Sequence, residues 1–147
     1  GESVRNKNVL VINGATRVNG NTDTILKRLT QSALQSDIRI RQINVRKKTI
    51  KDCIGCFRCS DHTVCSIKDD MAEVYEQINE STLILFASPV YWWGVTGIMK
   101  IVIDRLYFYY SNLNKSLIAG KKAIVLSPMN MSSDIYKTEI FISQQVS

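Results

Sequence analysis

Residues 9–22 read Val-Leu-Val-Ile-Asn-Gly-Ala-Thr-Arg-Val-Asn-Gly-Asn-Thr and carry the clearest pattern in the chain. The apolar run from Val9 to Ile12 is typical of a buried strand, and apolar residues recur at helical spacing after Thr22. The polar stretch between them therefore joins a strand to a helix. Such a turn points backbone N–H groups, and the positive end of the helix dipole, toward one place. We expect an anion to bind there.

The side chains of this loop suit a phosphate group, because hydroxyl and amide donors surround one cation. The spacing differs both from the dinucleotide fingerprint G-x-G-x-x-G and from the nucleotide loop that ends in Gly-Lys-Ser/Thr. It therefore favours a mononucleotide such as FMN. The alternative is an ordinary polar loop that caps the helix. The predicted phosphate-binding residues are Thr16, Arg17, Asn19, Gly20, Asn21 and Thr22.

The composition suggests one domain over residues 1–147, since 45% of the residues are hydrophobic and can bury a core. No apolar run is long enough to cross a bilayer and no signal sequence is present, so we expect a cytoplasmic protein without a membrane partner. The net charge is +6, and many cations fall between Arg39 and Lys51. Nucleic-acid binding is the alternative that this charge raises. A solvated face is favoured, because no aromatic residues are interleaved with the cations.

Strand and helix patterns alternate along the chain, which predicts a parallel α/β sheet. The predicted strands are 9–13, 38–45, 83–87 and 123–126. The second alternates polar and apolar residues, as an edge strand does. This favours a flavodoxin-like three-layer sandwich of order 2-1-3-4, with ligands beyond the carboxyl ends of strands one and three. The predicted core positions of the helices are Ile25, Leu26, Leu29, Leu34, Met71, Val74, Tyr75, Ile78, Met99, Val102, Ile103 and Leu106.

Only residues 132–147 follow the fourth strand and its loop, with room for one helix. We therefore expect the fifth strand and the last helix of such a fold to be missing, and strand four to be an open edge.

A second loop, residues 88–97, directly follows the third strand and offers flat aromatic faces to a planar ring. The alternative is that the adjacent tryptophans anchor a core or a dimer interface. By topology, the loop after strand four lies near the same ring and can supply further hydrogen-bond donors to it. The predicted ring-binding residues are Ser88, Pro89, Val90, Tyr91, Trp92 and Trp93, with Ser127 and Met129 from the loop after strand four.

All four cysteines, Cys53, Cys56, Cys59 and Cys65, fall in one loop with the spacing C-x2-C-x2-C-x5-C. Three cysteines at x2 intervals are more typical of an iron-sulfur cluster than of a paired zinc site. A redox-active thiol pair is the alternative. The only histidine, His62, lies in the same loop, where a solvated role is favoured over metal ligation.

The chain resembles the NADPH-dependent FMN reductase-like branch of the flavodoxin-like superfamily. Three motifs carry the resemblance, namely residues 14–22, the Ser-Pro-Val-Tyr segment at 88–91, and the helix at 96–105 with Lys100, Asp104 and Arg105. The cysteine loop is similar to that of the iron-sulfur flavoproteins, which carry FMN and a 4Fe-4S cluster. One departure is Ala15, which replaces a serine of the family's phosphate loop.

The resemblance implies that FMN performs the redox chemistry without a catalytic acid or base from the protein. NAD(P)H would deliver hydride, and the electrons would pass to a quinone, a metal centre or a protein acceptor. It also implies a homodimer or homotetramer. Two alternatives stay open: a flavodoxin-type electron carrier without NAD(P)H activity, and a nucleic-acid or metal-sensing protein.

Overall fold

The computed structural model describes residues 7–15, 20–128 and 135–140. A five-stranded sheet of order β2-β1-β3-β4-β5 forms its centre, and the first four strands are parallel. This confirms the predicted flavodoxin-like α/β fold. The strands are β1 (Asn8–Asn13), β2 (Arg39–Asn44), β3 (Leu83–Ala87), β4 (Lys122–Pro128) and β5 (Ile135–Ile140), and the helices are α1 (Asn21–Leu34), α2 (Met71–Glu80) and α3 (Gly97–Arg105).

Strand β1 is central and is covered on both faces. Leu10 and Ile12 belong to the main core, which the sheet forms with α2 and α3. Val9 and Val11 point to the opposite face, where they pack with Leu26 of α1. Burial on both sides explains why β1 is apolar without interruption. Parallel pairing with β3, which sets Asn13 opposite Ala87, places the carboxyl ends of the two strands side by side.

Strand β2 is the exposed edge that its alternating sequence predicts, and Ile43 is its only buried residue. Arg41 donates to the side chain of Gln77 in α2, at 2.8 Å, and approaches Glu80 at 3.6 Å. Lys48, just beyond the strand, forms an ion pair with Glu73 at 2.7 Å. Part of the basic segment is therefore paired with α2 along the edge of the sheet.

The predicted core face of α2 is confirmed, because Met71, Val74, Tyr75 and Ile78 are all buried. In α1, by contrast, the prediction for Leu34 is wrong, since this side chain is 81% exposed. The buried residues of α1 share one stripe that ends at Ala33, and Leu34 lies one helical step beyond it.

The end of the described chain differs from the prediction. Strand β5 pairs antiparallel with β4, from Ala123 opposite Ile140 to Pro128 opposite Ile135. The expectation of an open edge at β4 is therefore wrong, whereas β5 is antiparallel and so is not the parallel fifth strand whose absence was expected. An edge strand exposes a row of unpaired N–H and C=O groups, and β5 satisfies those of β4.

None of the helices in the described ranges combines the length and the apolar character needed to cross a bilayer.

Candidate functional site

The two predicted loops meet at the carboxyl ends of β1 and β3. The Gly14 N–H donates to the Ala87 carbonyl at 2.8 Å, which joins the loops through the backbone. The Thr96 hydroxyl donates to the Gly14 carbonyl at 3.3 Å, and the Thr96 N–H donates to the Ser88 hydroxyl at 3.0 Å. Ser88 and Thr96 are both buried. A short network thus holds the start of each loop against the first turn of α3.

Gly14 suits this close approach. A Cβ atom added there would lie 3.0 Å from Met99 Cε and 3.3 Å from Thr96 Oγ1. Both neighbours belong to the buried start of α3, so they have little space in which to move. The glycine therefore allows the loop to leave β1 directly over the amino end of α3.

The amino end of α1 directly follows the predicted phosphate loop. Gly20 is its N-cap residue, and no side chain among the described residues caps this end. Asn21 and Thr22 open the first turn, the former exposed and the latter buried. Thr16, Arg17 and Asn19 lie outside the described residues. The first turn of a helix is a common binding place for phosphate groups, because its N–H groups point along the helix axis.

Asn13, which the sequence analysis did not single out, shapes the beginning of this loop. Its side-chain oxygen accepts from the Ala15 N–H at 2.9 Å, and its amide nitrogen donates to Asp23 at 3.3 Å. Asn13 is 2% exposed, so these bonds are made in the interior. An asparagine directly after the apolar run of a strand was the available sequence signal.

The aromatic loop forms a tight two-residue hairpin. Tyr91 and Gly94 exchange backbone hydrogen bonds of 2.8 and 3.1 Å, and Trp92 and Trp93 occupy the two central positions with φ of 51° and 72°. Positive φ at both positions defines a type I′ turn, which normally uses Asn-Gly. Each left-handed tryptophan costs roughly 1–2 kcal/mol.

Both indole rings are open to solvent, because Trp92 is 94% exposed and Trp93 is 96% exposed. The alternative that these rings anchor the core of the chain is therefore wrong. Strain and exposure together are typical of a binding site. Pro89 and Val90 are half-buried beneath the hairpin, and Tyr91 is exposed.

The end of β4 lies beside the same site. The Ser88 N–H donates to the Leu126 carbonyl at 3.0 Å, which brings the predicted Ser127 next to the exit of β3. Ser127 is half-buried there. Met129, the other residue predicted from this loop, lies outside the described residues.

The four cysteines line a single cavity, together with Phe57, Arg105 and Tyr107. Cys59 and Cys65 are half-buried and pack against the main core, whereas Cys53 and Cys56 are exposed. All four thiols are free. Two left-handed residues, Gly55 and Phe57, bend the chain between the first three cysteines. The loop thus gathers its thiols around one space.

The thiols differ in their acidity. Burial raises the pKa of the Cys59 thiol, and the three neighbouring cysteines raise it further. The Cys56 pKa is lowered, first by a hydrogen bond with the Ser66 hydroxyl at 3.2 Å and then by a backbone N–H at Arg58. Cys56 is therefore the more readily ionised of the two.

The arrangement does not suit a single metal ion. Within the described ranges, no three side chains of His, Cys, Asp or Glu lie close enough together to share one. A tetrahedral zinc site needs every sulfur about 2.3 Å from one ion. In a 4Fe-4S cluster each thiolate binds its own iron, so the four thiols stand further apart. Thiolates are the usual ligands of such a cluster, and all four thiols of this chain line one cavity.

His62 does not line that cavity and makes its hydrogen bonds elsewhere. Its Nδ1 lies 2.6 Å from the Asp61 carboxylate and 2.9 Å from the Arg58 carbonyl. The hydrogen bond with Asp61 raises the pKa of the exposed imidazole. This geometry agrees with the favoured solvated role.

A buried ion pair, which was not predicted from the sequence, lies where the cysteine loop begins and ends. Arg105 and Asp69 meet at 2.7 Å, and both side chains are 1% exposed. Burial alone would raise the pKa of Asp69. Hydrogen bonds from Arg105 and from the N–H groups of Lys51 and Met71 outweigh burial and leave the pKa below its ordinary value.

Comparisons with known proteins agree with this architecture. A sequence profile of the NADPH-dependent FMN reductase family matches residues 7–134, so the chain belongs to that family. An iron-sulfur flavoprotein of Methanocaldococcus jannaschii is 32% identical over 97 residues, which are 66% of this chain and 50% of that protein. The chain spans about half the length of the curated relatives it matches.

Solved structures share the fold at low sequence identity. RosB, crystallised with a bound riboflavin-phosphate derivative, has a TM-score of 0.67 at 14% identity, covering 86% of this chain and 54% of its own. The NADH:FMN oxidoreductase EMOB has a TM-score of 0.57 at 21% identity, covering 86% of this chain and 60% of its own.

Proposed function

We propose that this chain is the FMN-binding part of an oxidoreductase that takes hydride from NAD(P)H. The observation that carries the proposal is the junction of the two loops through Gly14, Ser88 and Thr96. It joins the loop that leads into α1 to the loop that carries a strained, exposed aromatic hairpin. The first can hold a phosphate and the second a planar ring, and FMN has both.

Family membership supports FMN as the group that would be held. Bound FMN would supply the hydride-accepting chemistry, whereas the protein would bind and orient it. The phosphate would lie at Asn21 and Thr22, with Thr16, Arg17, Asn19 and Gly20 as the remaining proposed contacts. The ring would lie against residues 88–93, near Ser127 and Met129.

Removal of donors at the α1 terminus tests the phosphate site. We expect Asn21→Ala with Thr22→Ala to weaken FMN binding by about 1–3 kcal/mol for each charge-assisted hydrogen bond lost, as measured by calorimetry. Thr30→Ala is the matched control, since Thr30 lies on the same helix and donates to the Leu26 carbonyl. Equal FMN affinities in the wild type, the double variant and the control would contradict this assignment, provided that circular dichroism shows folded protein.

Anaerobic addition of NADH or NADPH tests the activity. We expect one of them to bleach the absorption band of oxidised flavin. If dithionite bleaches the band and neither nicotinamide does, the chain is an electron carrier instead.

The proposal also covers the electron acceptor and the oligomeric state of the protein. A small-molecule quinone, a metal centre or a protein would take the electrons, and a homodimer or homotetramer would be the working form. Exposed aromatic residues near the cysteine cavity, Tyr107 and Tyr110, support burial in an assembly.

An iron-sulfur cluster at Cys53, Cys56, Cys59 and Cys65 is a second candidate property. Its support is the single cavity that all four thiols line, and the relative from M. jannaschii is named an iron-sulfur flavoprotein. Anaerobic reconstitution followed by iron and sulfide analysis tests it, and we expect about four irons per chain. The cluster assignment is wrong if the wild type takes up no iron. It is also wrong if Cys56→Ser with Cys59→Ser takes up as much iron as the wild type.

A further inference from the structure

Arg105 is the last residue of α3 and is buried, with 2% of its surface exposed. Its guanidinium makes two hydrogen bonds to the Asp69 carboxylate, of 2.7 and 3.1 Å. It also donates to the Lys51 carbonyl at 2.8 Å and to Cys65 Sγ at 3.5 Å. One side chain therefore contacts residues on both sides of the cysteine loop and one of the cysteines.

Asp69, the other member of the ion pair, also connects the beginning of the cysteine loop to its end. Its carboxylate accepts from the Lys51 N–H at 2.8 Å and from the Met71 N–H at 3.0 Å. Lys51 precedes Cys53, and Asp69 follows Cys65. The ion pair thus ties the beginning of the loop to its end, and α3 holds the pair in place.

One hydrogen-bond donor of Arg105, its buried Nε–H, has no acceptor among the described residues. Arg105 also lines the cavity that the four thiols share. A buried donor without an acceptor is unfavourable, and the cavity contains the thiols of the candidate cluster site. A cluster bound there would bring sulfur acceptors to this arginine.

We propose that Arg105 is the positioning residue of the cysteine site. It fixes Cys65 relative to the other three thiols by holding both ends of the loop, and it donates a hydrogen bond to the Cys65 sulfur. The inference rests on the proposed iron-sulfur assignment. Hydrogen bonds to sulfur raise the reduction potential of a cluster, so Arg105 would set that potential as well as the shape of the loop.

The test compares Arg105→Lys with wild type and with Lys68→Met. Lysine keeps the charge but lacks the planar fork that reaches Asp69, Lys51 and Cys65 together. Lys68→Met is the matched control, because Lys68 lies in the same loop and is exposed. It removes a charge without touching the ion pair.

Two measurements are made on each variant. Amide hydrogen exchange of the metal-free protein reports on the loop, and we expect exchange across residues 51–69 to be about tenfold faster in Arg105→Lys. Redox titration of the reconstituted protein reports on the cluster. There we expect a lower midpoint potential in Arg105→Lys than in Lys68→Met.

Wild-type exchange and wild-type potential in Arg105→Lys would overturn the proposal, as would equal potential shifts in the two variants. If wild type takes up no iron, the cluster assignment fails, and exchange in the metal-free protein still decides whether Arg105 positions the loop. If Arg105→Lys does not fold, Arg105→Met with Asp69→Leu replaces the pair by apolar side chains and is expected to fold. Slow, wild-type exchange in that double variant would then overturn the proposal.

Discussion

At Trp92 and Trp93, two bulky residues adopt a backbone conformation that favours asparagine and glycine. We expect Trp92→Asn with Trp93→Gly to stabilise the fold by about 1–2 kcal/mol, because the left-handed strain is released. The same change should weaken FMN binding if the indoles contact the ring. Urea unfolding followed by circular dichroism measures the first effect, and calorimetry measures the second. A less stable double variant would show that the hairpin is not strained.

Gly14 offers a second comparison of single residues. We expect Gly14→Ala to destabilise the protein by about 1–3 kcal/mol, since the added methyl group would press on Met99 and Thr96. Gly97→Ala is the control, because a Cβ there meets nothing within 4 Å. That change at the start of α3 should be neutral or stabilising by up to about 1 kcal/mol. Equal unfolding free energies in urea would refute the close approach.

Among the structural elements, the cysteine loop is attached through a carboxylate, Asp69, whose protonation would weaken the attachment. The Asp69 pKa lies below its ordinary value of 3.8, so its contribution to stability is complete above that value. It is lost as the pH falls through the lower folded-state pKa. We therefore expect wild type to lose stability below about pH 4 more steeply than Asp69→Asn, in thermal unfolding measured across pH.

At neutral pH the same variant should be less stable than wild type by about 3–5 kcal/mol, because it leaves Arg105 buried without its counter-ion. Asp61→Asn is the control. The Asp61 side chain is 76% exposed, so its replacement should change stability by no more than about 0.5 kcal/mol. A pH dependence shared by wild type and Asp69→Asn would assign the acid sensitivity to other groups.

For the molecule as a whole, we expect an assembly larger than the monomer in analytical ultracentrifugation. Tyr107 and Tyr110 stack at 5.3 Å and are exposed, and Phe57 packs edge-on against Tyr107. Tyr107→Ser with Tyr110→Ser should shift the equilibrium toward monomer if the assembly covers this cluster. Leu34→Ser, on an exposed residue of α1, is the control. A monomeric wild type would remove the basis for a homo-oligomer.

The sequence predicted what depends on local pattern. The apolar runs of β1, β3 and β4 identified the strands because each run is buried within a sheet. It did not reveal β5, because antiparallel pairing with β4 depends on contacts between distant segments rather than on the local pattern at 135–140. In the same way, no local pattern around Arg105 indicates that this residue is buried. Its partners Lys51, Cys65 and Asp69 are distant along the chain, and only the fold brings them to α3.

The type I′ hairpin also gives the protein an unusual optical property. The chain has two tryptophans, and they are the two central residues of that turn. Their fluorescence therefore reports on one surface loop, while the core contributes none of it. Since the indoles are already 94% and 96% exposed, unfolding should hardly shift their emission maximum. A flavin bound against the hairpin would quench the same emission. Tryptophan fluorescence would therefore report flavin binding without an added label.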